Sequence, residues 1–181
     1  MTREEALALV QSQVSNTNLI KHMLATEAVM RELASHFGED AGVWGLAGLL
    51  HDLDYDRTAH DFPIHGLLTV EMLEPYGVDP RVLQAIKAHP GHVPAVSRMD
   101  KALYAVDPLT GLIVAAALMH PTKKLRSVDV PFVMNRFKEK RFAAGANREQ
   151  IQTCEGLGLD LETFVGIGLG AMQEIDADLG L

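Results

Sequence analysis

Histidine and aspartate residues suited to metal chemistry recur along the first 107 positions of this 181-residue chain. The sharpest pattern is His51-Asp52, which stands where a very apolar segment beginning near Trp44 gives way to a charged one. An imidazole and a carboxylate that are adjacent at a helix end can both turn toward one cation, because the helical constraint relaxes there. The dipeptide alone is common by chance, so its place after an apolar segment is what favours a metal site.

Two further residues are predicted to point inward from helices. His22 shares a helical stripe with Thr26 and Leu33, although a histidine in such a place is more often a hydrogen-bonded core residue than a ligand. Asp107 lies on an apolar stripe, and a buried carboxylate needs a partner such as a metal, because removing its charge from water is costly. A second interpretation is that Asp107 caps a helix that restarts at Pro108, and the two interpretations are compatible.

Three more histidines lie along the chain, and each of them alone is more typical of a surface or a helix end than of a ligand. They are His65, His89 and His92. Together with the earlier residues they complete a set of nitrogen and oxygen donors without thiolate, since Cys154 is the only cysteine. Such donors suit a divalent Mn, Fe, Co, Ni, Zn or Mg ion rather than a structural zinc site.

Helices must position these residues, because the hydrophobic periodicity is close to that of an α-helix nearly throughout the chain. No alternating run of β-branched residues demands a strand, so the predicted fold is all-α, an irregular helical bundle. Capping and breaking residues predict helices from Thr2 to the polar break at 15–18, from there to about Gly38, from Asp40 to about His51, from Pro63 to Gly77, from Asp79 to Pro90, from about Asp100 to Met119 with a break or restart at Pro108, and onward from Asp129, Asn147 and Asp160.

One predicted helix carries a repeated small residue. Gly42, Gly45 and Gly48 recur at every third position. Each glycine weakens a helix by about 1 kcal/mol relative to alanine, so the repeat needs a structural reason. The spacing predicts a smooth face along which a neighbouring helix comes close.

The composition limits the classes of partner. A formal net charge of −8 and a pI near 5.4 argue against a nucleic-acid polymer or an anionic membrane as the main partner. The N-terminus lacks the long apolar run of a signal peptide. The apolar stretch from Leu109 to Met119 is too short to span a bilayer, so we expect a cytoplasmic protein. The length suits a single domain over residues 1–181, and the oligomeric state is left open.

The order of the candidate ligands resembles the H…HD…D signature of the HD superfamily of metal-dependent phosphohydrolases. The segment GLAGLLHDLDYD is similar to its AALLHDIG-type segment, and MDKALYAVDPLTG is similar to the segment around its last ligand. The resemblance covers about residues 18–120 and implies a five-helix core, followed by a C-terminal helical extension over 121–181. The chain departs from the HDIG pattern at Leu53-Asp54, where that pattern has glycine after the intervening residue, and it lacks the long HD-GYP segment.

The resemblance implies four primary metal ligands, which are His22, His51, Asp52 and Asp107. Dinuclear members of the superfamily have extra histidines, which His65 and His89 match, with His92 as an alternative to His89. This match implies a second ion, bridged to the first by Asp52. One or two divalent ions per chain are therefore expected.

The implied activity is hydrolysis of a small phosphorylated metabolite such as a nucleotide. Asp52 is then catalytic as the holder of the metal, Asp54 is a candidate acid or base, and Lys101 is a candidate phosphate contact. Otherwise Asp54 is an ordinary loop carboxylate and Lys101 a solvated lysine. Two alternatives stay open: a dinuclear-iron oxygenase with the same ligands, and a non-catalytic metal- or ligand-binding protein.

The basic residues of segment 123–141 either bind phosphate or form a solvated helical face; they are Lys123, Lys124, Arg126, Arg136, Lys138, Lys140 and Arg141.

Overall fold

The structure, a computed structural model, describes all 181 residues and contains helices but no strand, which confirms the predicted all-α class. The helices are α1 (Arg3–Gln13), α2 (Thr17–Phe37), α3 (Ala41–Leu50), α4 (Tyr55–Thr58), α5 (Leu67–Leu73), α6 (Pro80–Ala88), α7 (Arg98–Met119), α8 (Val130–Lys138), α9 (Arg148–Gln152), α10 (Leu161–Glu174) and α11 (Asp176–Leu179). Short 3₁₀ turns lie at Phe62–Ile64, Glu74–Tyr76, Leu125–Ser127 and Thr153–Leu157.

Helix α7 forms the centre of the bundle, where it packs against α2, α6, α8, α9 and α10. A single continuous cluster of 43 buried apolar residues surrounds it, and helices from both ends of the chain contribute to this cluster. The hydrophobic effect therefore fixes α2, α6 and α7 relative to one another. The candidate ligands lie on or beside these three helices and α3.

The predicted smooth face on α3 is confirmed by its packing on α2. A Cβ atom added at Gly48 would lie 2.7 Å from the backbone oxygen of Thr26, and one at Gly45 would lie 2.8 Å from the Arg31 side chain. Two of the glycines thus let α3 approach α2 more closely than alanine would permit. This approach places His51, which follows α3, beside His22 of α2.

Helix α7 corrects two predictions. It begins at Arg98 rather than near Asp100, because Ser97 and Asp100 form a capping box there. It also runs through Pro108 without a break, so the interpretation that Asp107 caps a restarted helix is wrong. Proline cannot donate to the carbonyl one turn earlier, and the Gln150 side chain donates to that carbonyl, the Tyr104 oxygen, at 2.7 Å instead.

Two other boundaries differ from the sequence prediction. Pro63 lies in a 3₁₀ turn, and α5 begins only at Leu67, because the segment between them bends around His65 and Gly66. Helix α7 as a whole is long and apolar enough to cross a membrane by length and composition. However, 56% of its most apolar window is buried inside the bundle, which is the pattern of a core helix.

Candidate metal centre

The structure brings together all six residues that the sequence predicts as metal ligands. Helices α2 and α7 supply His22 and Asp107, whose Nε2 and Oδ1 atoms lie 3.2 Å apart. His51 follows α3, and its Nε2 lies 3.1 Å from that of His22. His65 precedes α5 and His89 follows α6, with their Nε2 atoms 3.0 Å apart. Four imidazole edges therefore face a common centre.

Asp52 lies between the two histidine pairs. Its Oδ1 is 3.3 Å from Nε2 of His65 and 3.5 Å from Nε2 of both His51 and His89. Its Oδ2 is 3.5 Å from Nε2 of His22. One carboxylate thus reaches both pairs, which is the position that a residue bridging two ions needs.

Backbone carbonyls fix the protonation of two of these histidines. Nδ1 of His51 donates to the Gly48 oxygen at 2.8 Å, and Nδ1 of His89 donates to the Ile86 oxygen at 2.6 Å. A carbonyl only accepts hydrogen bonds, so the proton of the neutral ring lies on Nδ1 and the lone pair on Nε2. Both Nε2 lone pairs therefore point at the centre of the cluster.

Side chains fix the other two histidines in the same sense. Nδ1 of His65 donates to the Asp54 carboxylate at 2.8 Å. Nδ1 of His22 lies 2.9 Å from the Thr110 hydroxyl, which donates its own proton to the Asp107 backbone oxygen and so accepts from the ring. A ligating histidine usually donates its second nitrogen in this way, which orients the ring and raises its basicity.

The atoms that face one another at the centre are hydrogen-bond acceptors, namely imidazole Nε2 atoms and carboxylate oxygens. Imidazole lone pairs and carboxylate oxygens within 4 Å of one another repel unless a cation or proton lies between them. His51 and His89 are buried, so water offers little relief. The donor set contains nitrogen and oxygen only, and it therefore fits a divalent cation.

The ionisation of these groups reflects the same crowding. Burial raises the pKa of Asp52, but the neighbouring imidazoles, His51 first among them, outweigh burial and hold the pKa well below its usual range. Burial lowers the pKa of His65, but its bonds to Asp52 and Asp54 raise that pKa to about 9. Burial keeps the pKa of His89 below its usual value. The carboxylates of the cluster therefore stay ionised, and they favour a positive charge between them.

Asp54 lies two residues after Asp52 and is completely buried. Its carboxylate accepts from the His65 ring and from the backbone N–H groups of Gly66 and Thr69, at 2.8, 2.8 and 3.1 Å. These donors stabilise the charged form and outweigh burial, so the pKa of Asp54 is lowered. In this geometry Asp54 holds the loop that carries His65, and it does not line the cavity above the cluster.

A cavity of about 400 Å³ opens above the cluster. Tyr55 and Phe62 line it with side chains that are 41% and 55% exposed. Gln150 reaches it from the C-terminal helices, while Lys101 is not among its lining residues, so the predicted phosphate contact stays a prediction. His92 binds the Phe62 backbone oxygen at 3.0 Å and does not join the cluster; His89 does.

Sequence reasoning missed Thr110, Gln150 and the aromatic pair. Thr110 stands three residues after Asp107, on the same face of α7, so helical spacing was an available signal for it. Tyr55 and Phe62 gave only the weak signal of aromatic residues in a polar segment. Gln150 gave none, because its contact with Tyr104 spans 46 positions.

A helical bundle with buried imidazoles and carboxylates around one centre defines an all-α protein of the metal-binding class. The sequence profile of the HD domain matches residues 19–117. The chain belongs to the HD-domain family, as the sequence predicted. The matched region begins just before His22 and ends after Asp107, so it contains the whole cluster.

Curated relatives of the chain include several ribonucleases. Ribonuclease Y of Sulfurovum sp. (strain NBC37-1) is 29% identical over 73% of this chain and 26% of its own length. Ribonuclease Y of Campylobacter jejuni subsp. jejuni serotype O:23/36 is 35% identical over 51% and 18%. Ribonuclease Y 2 of Pediococcus pentosaceus is 24% identical over 90% and 32%. The chain thus spans at most about a third of these relatives, and no solved structure matches it significantly.

Proposed function

We propose that this chain is a metal-dependent phosphohydrolase whose substrate is a small phosphorylated metabolite such as a nucleotide. The observation that carries the proposal is the convergence of four imidazole Nε2 atoms and two carboxylates below an open cavity. His22, His51 and Asp107 would hold one divalent ion, and His65 and His89 would hold a second, with Asp52 shared. Mn, Fe, Co, Ni, Zn and Mg are the candidate metals.

When bound, a divalent cation supplies a nucleophilic water at neutral pH and neutralises phosphoryl charge. The side chains of this protein set the conditions for that chemistry. Asp52 carries the negative charge at the centre, while Asp54 and Thr110 fix the rings of His65 and His22. Because these contacts hold the ligands before substrate arrives, little reorganisation is needed during the reaction.

The cavity supports a small substrate with a flat ring. Its volume of about 400 Å³ falls within the usual range for small-molecule sites. The exposed rings of Tyr55 and Phe62 offer apolar faces at its mouth, and the Tyr55 ring stands edge-on to His65 with centroids 5.2 Å apart. A nucleobase can stack on such rings while its phosphate reaches the cluster.

A second candidate substrate is the phosphodiester backbone of RNA, because the matched relatives are named ribonucleases. Aromatic rings at the cavity mouth would also accept an unpaired base. Lys138, Lys140 and Arg141 are exposed and precede Gly145, which lines the cavity. The net charge of −8 weighs against a long anionic polymer, so we place this candidate second.

The test begins with metal analysis of protein purified without chelator. The protein is then assayed with that metal on nucleoside monophosphates, nucleoside polyphosphates, sugar phosphates and a short RNA. We expect metal-dependent release of phosphate from a nucleotide, lost in His22→Ala and retained in His36→Ala, an exposed histidine of the same helix. Cleavage of RNA alone would favour the second candidate. No turnover of any phosphoester, together with oxygen uptake by iron-loaded protein, would support the oxygenase alternative.

A further inference from the structure

The cavity above the metal centre continues into a neighbouring one. The second cavity has a volume of about 370 Å³ and shares Asp107, Pro108 and Gly145 with the first, so the two form one groove. Its other walls include Ala143 and Ala146, which belong to the turn between α8 and α9. We call this second cavity the extension, and residues 139–146 the α8–α9 turn. The proposed hydrolysis of a monophosphate leaves the extension unused.

One side chain orders the α8–α9 turn. The Arg148 guanidinium donates to the backbone oxygens of Phe142, Ala143 and Ala146, the last two at 2.7 Å. Arg148 lines neither the extension nor the cavity above the metal centre. These carbonyls of the turn therefore face a cation that lies outside the groove.

The N–H groups of the same peptides are free to bind an anion. The carbonyl and the N–H of a trans peptide point in opposite directions, so the N–H groups of Ala143 and Ala144 point away from Arg148. Neither of them donates to a backbone or side-chain acceptor in the protein. Ala143 has a φ of +43°, a left-handed conformation that is uncommon outside glycine. Successive N–H groups beside such a residue form a concavity suited to an anion.

Unpaired cations precede this concavity in the chain. Lys138, Lys140 and Arg141 are exposed, and none of them forms an ion pair. The only acid that lines the extension is Asp107, which belongs to the metal centre. Side-chain charge and backbone donors therefore both favour an anionic group at this end of the groove.

We infer that the α8–α9 turn binds a second phosphate group of the substrate, which lies in the extension while the first phosphate lies at the metal centre. The inference rests on the proposed function and narrows its substrate class to a nucleotide with two separate phosphates, such as a nucleoside 3′,5′-bisphosphate. The turn lies outside residues 19–117, which match the HD-domain profile, so this specificity belongs to the C-terminal part of the chain.

The groove offers a separate place for each part of such a molecule. Tyr55 and Phe62 line only the first cavity, where the base would stack, and the extension leads away from them. Water adds to the phosphorus at the metal centre and the ester P–O bond breaks. The products are inorganic phosphate and a nucleoside monophosphate, whose remaining phosphate is unchanged.

The first experiment compares kcat/KM for adenosine 3′,5′-bisphosphate with the values for the 3′- and the 5′-monophosphate, using the metal found in the purified protein. We expect the bisphosphate to be favoured about tenfold over the better monophosphate, mainly through a lower KM, because charge-assisted hydrogen bonds hold its second phosphate. Equal kcat/KM values for the three nucleotides would overturn the inference. A short RNA that is hydrolysed more efficiently than the bisphosphate would overturn the small substrate and favour the polymer.

A matched pair of double variants tests the location of the second phosphate. Lys140→Gln with Arg141→Gln removes two cations beside the concavity, so the preference for the bisphosphate should fall to near one. Lys123→Gln with Lys124→Gln removes the same charge from exposed residues that do not line the groove, and it should keep the preference. An equal loss of preference in both double variants would assign it to net charge and overturn the site.

The second experiment observes the backbone donors directly by nuclear magnetic resonance. Isotope-labelled full-length protein is kept free of metal, so that no turnover occurs, and is titrated with adenosine 3′,5′-bisphosphate. The amide proton signals of Ala143 and Ala144 should move downfield, because these N–H groups donate to phosphate. The signal of Gly158, which also has a positive φ but does not line the groove, should stay in place.

The two experiments separate failure of the inference from failure of the proposed function. No hydrolysis of any phosphoester would overturn the proposed function, and the amide signals would then decide the phosphate site alone. Unmoved signals of Ala143 and Ala144 would overturn the binding of phosphate by the α8–α9 turn, whether or not the protein hydrolyses a nucleotide.

Discussion

The two sides of the metal centre are built differently. On one side, His22 and Asp107 project from helices of 21 and 22 residues, and His51 ends a third helix that packs closely on α2. On the other side, His65 lies in a bend between a 3₁₀ turn and α5, and His89 ends the nine-residue α6. Regular helix packing thus positions the first side, while a loop carries part of the second.

The buried carboxylate of Asp54 compensates for the missing helix on the loop side. It accepts hydrogen bonds from the ring of His65 and from the backbone N–H groups of Gly66 and Thr69, so one residue fixes both the loop and the ligand. Gly66 has a φ of +76°, and a Cβ atom there would lie 2.9 Å from the Ile86 oxygen. We therefore expect the helix side to tolerate the loss of one polar contact better than the loop side.

The largest effect is expected where the two sides meet. Asp52→Ala removes the only carboxylate within 3.5 Å of both histidine pairs. We expect bound metal to fall to near zero and metal-dependent activity to be lost, because no carboxylate then lies close to both histidine pairs and each proposed ion loses a ligand. Metal analysis and phosphate release measure the two effects. Retention of two ions by this variant would show that the sides bind metal independently.

A double replacement on the loop side should halve the metal content. His65→Ala with His89→Ala leaves His22, His51, Asp52 and Asp107 in place, so we expect the stoichiometry to fall from near two to near one. The circular dichroism spectrum should stay helical. An unchanged stoichiometry would assign the two histidines to structure or substrate contact, and a stoichiometry near one in the unaltered protein would mean that only one side binds metal.

The third prediction compares the supporting residue of each side. Asp54→Asn should weaken metal binding by about 10- to 100-fold, the usual cost of losing a partner of a ligating histidine. Thr110→Val should cost less, on the order of tenfold or below, because α2 still fixes the His22 backbone. Titration with Mn²⁺ measures both constants. A larger loss for Thr110→Val would contradict the proposed difference between the sides.

The pH dependence sharpens the role of His65. In protein stripped of metal, its pKa of about 9 lies above the usual 6.5, so the protonated ring stabilises the fold below pH 6.5 and this contribution is lost as pH rises through 9. A ligating imidazole must be neutral, so the apparent metal affinity should rise about tenfold per pH unit up to about 9 and then level off. Asp54→Asn should shift the levelling point to lower pH, because it removes an anion that raises the His65 pKa.

The smallest effect concerns the continuity of α7 on the helix side. Gln150→Leu leaves the Tyr104 carbonyl without a donor and should lower the free energy of unfolding by about 1–2 kcal/mol. Pro108→Ala supplies a backbone N–H for that carbonyl, so Gln150→Leu should cost less in the Pro108→Ala background. Urea unfolding of the four proteins measures this coupling. Strict additivity would show that Gln150 does not replace the missing donor.

Local patterns in the sequence were sufficient for the helical class, for most helix boundaries and for the types of ligand. Hydrophobic periodicity and helix caps depend on neighbours within about four positions, so they can be recognised from the sequence alone. The glycine repeat of α3 correctly predicted a close helix approach for the same reason. The position of His51-Asp52 after an apolar helix correctly indicated where the chain would turn toward the cluster.

The tertiary structure alone decided the contacts that complete the site. Thr110 fixes His22 from 88 positions away, and Gln150 allows α7 to pass through Pro108 from 46 positions beyond Tyr104. Such pairs leave no periodic signal, because they arise from how the helices pack and not from the order of residues along one helix. The sequence by itself therefore determined which donors this protein carries, and packing determined how each donor is oriented.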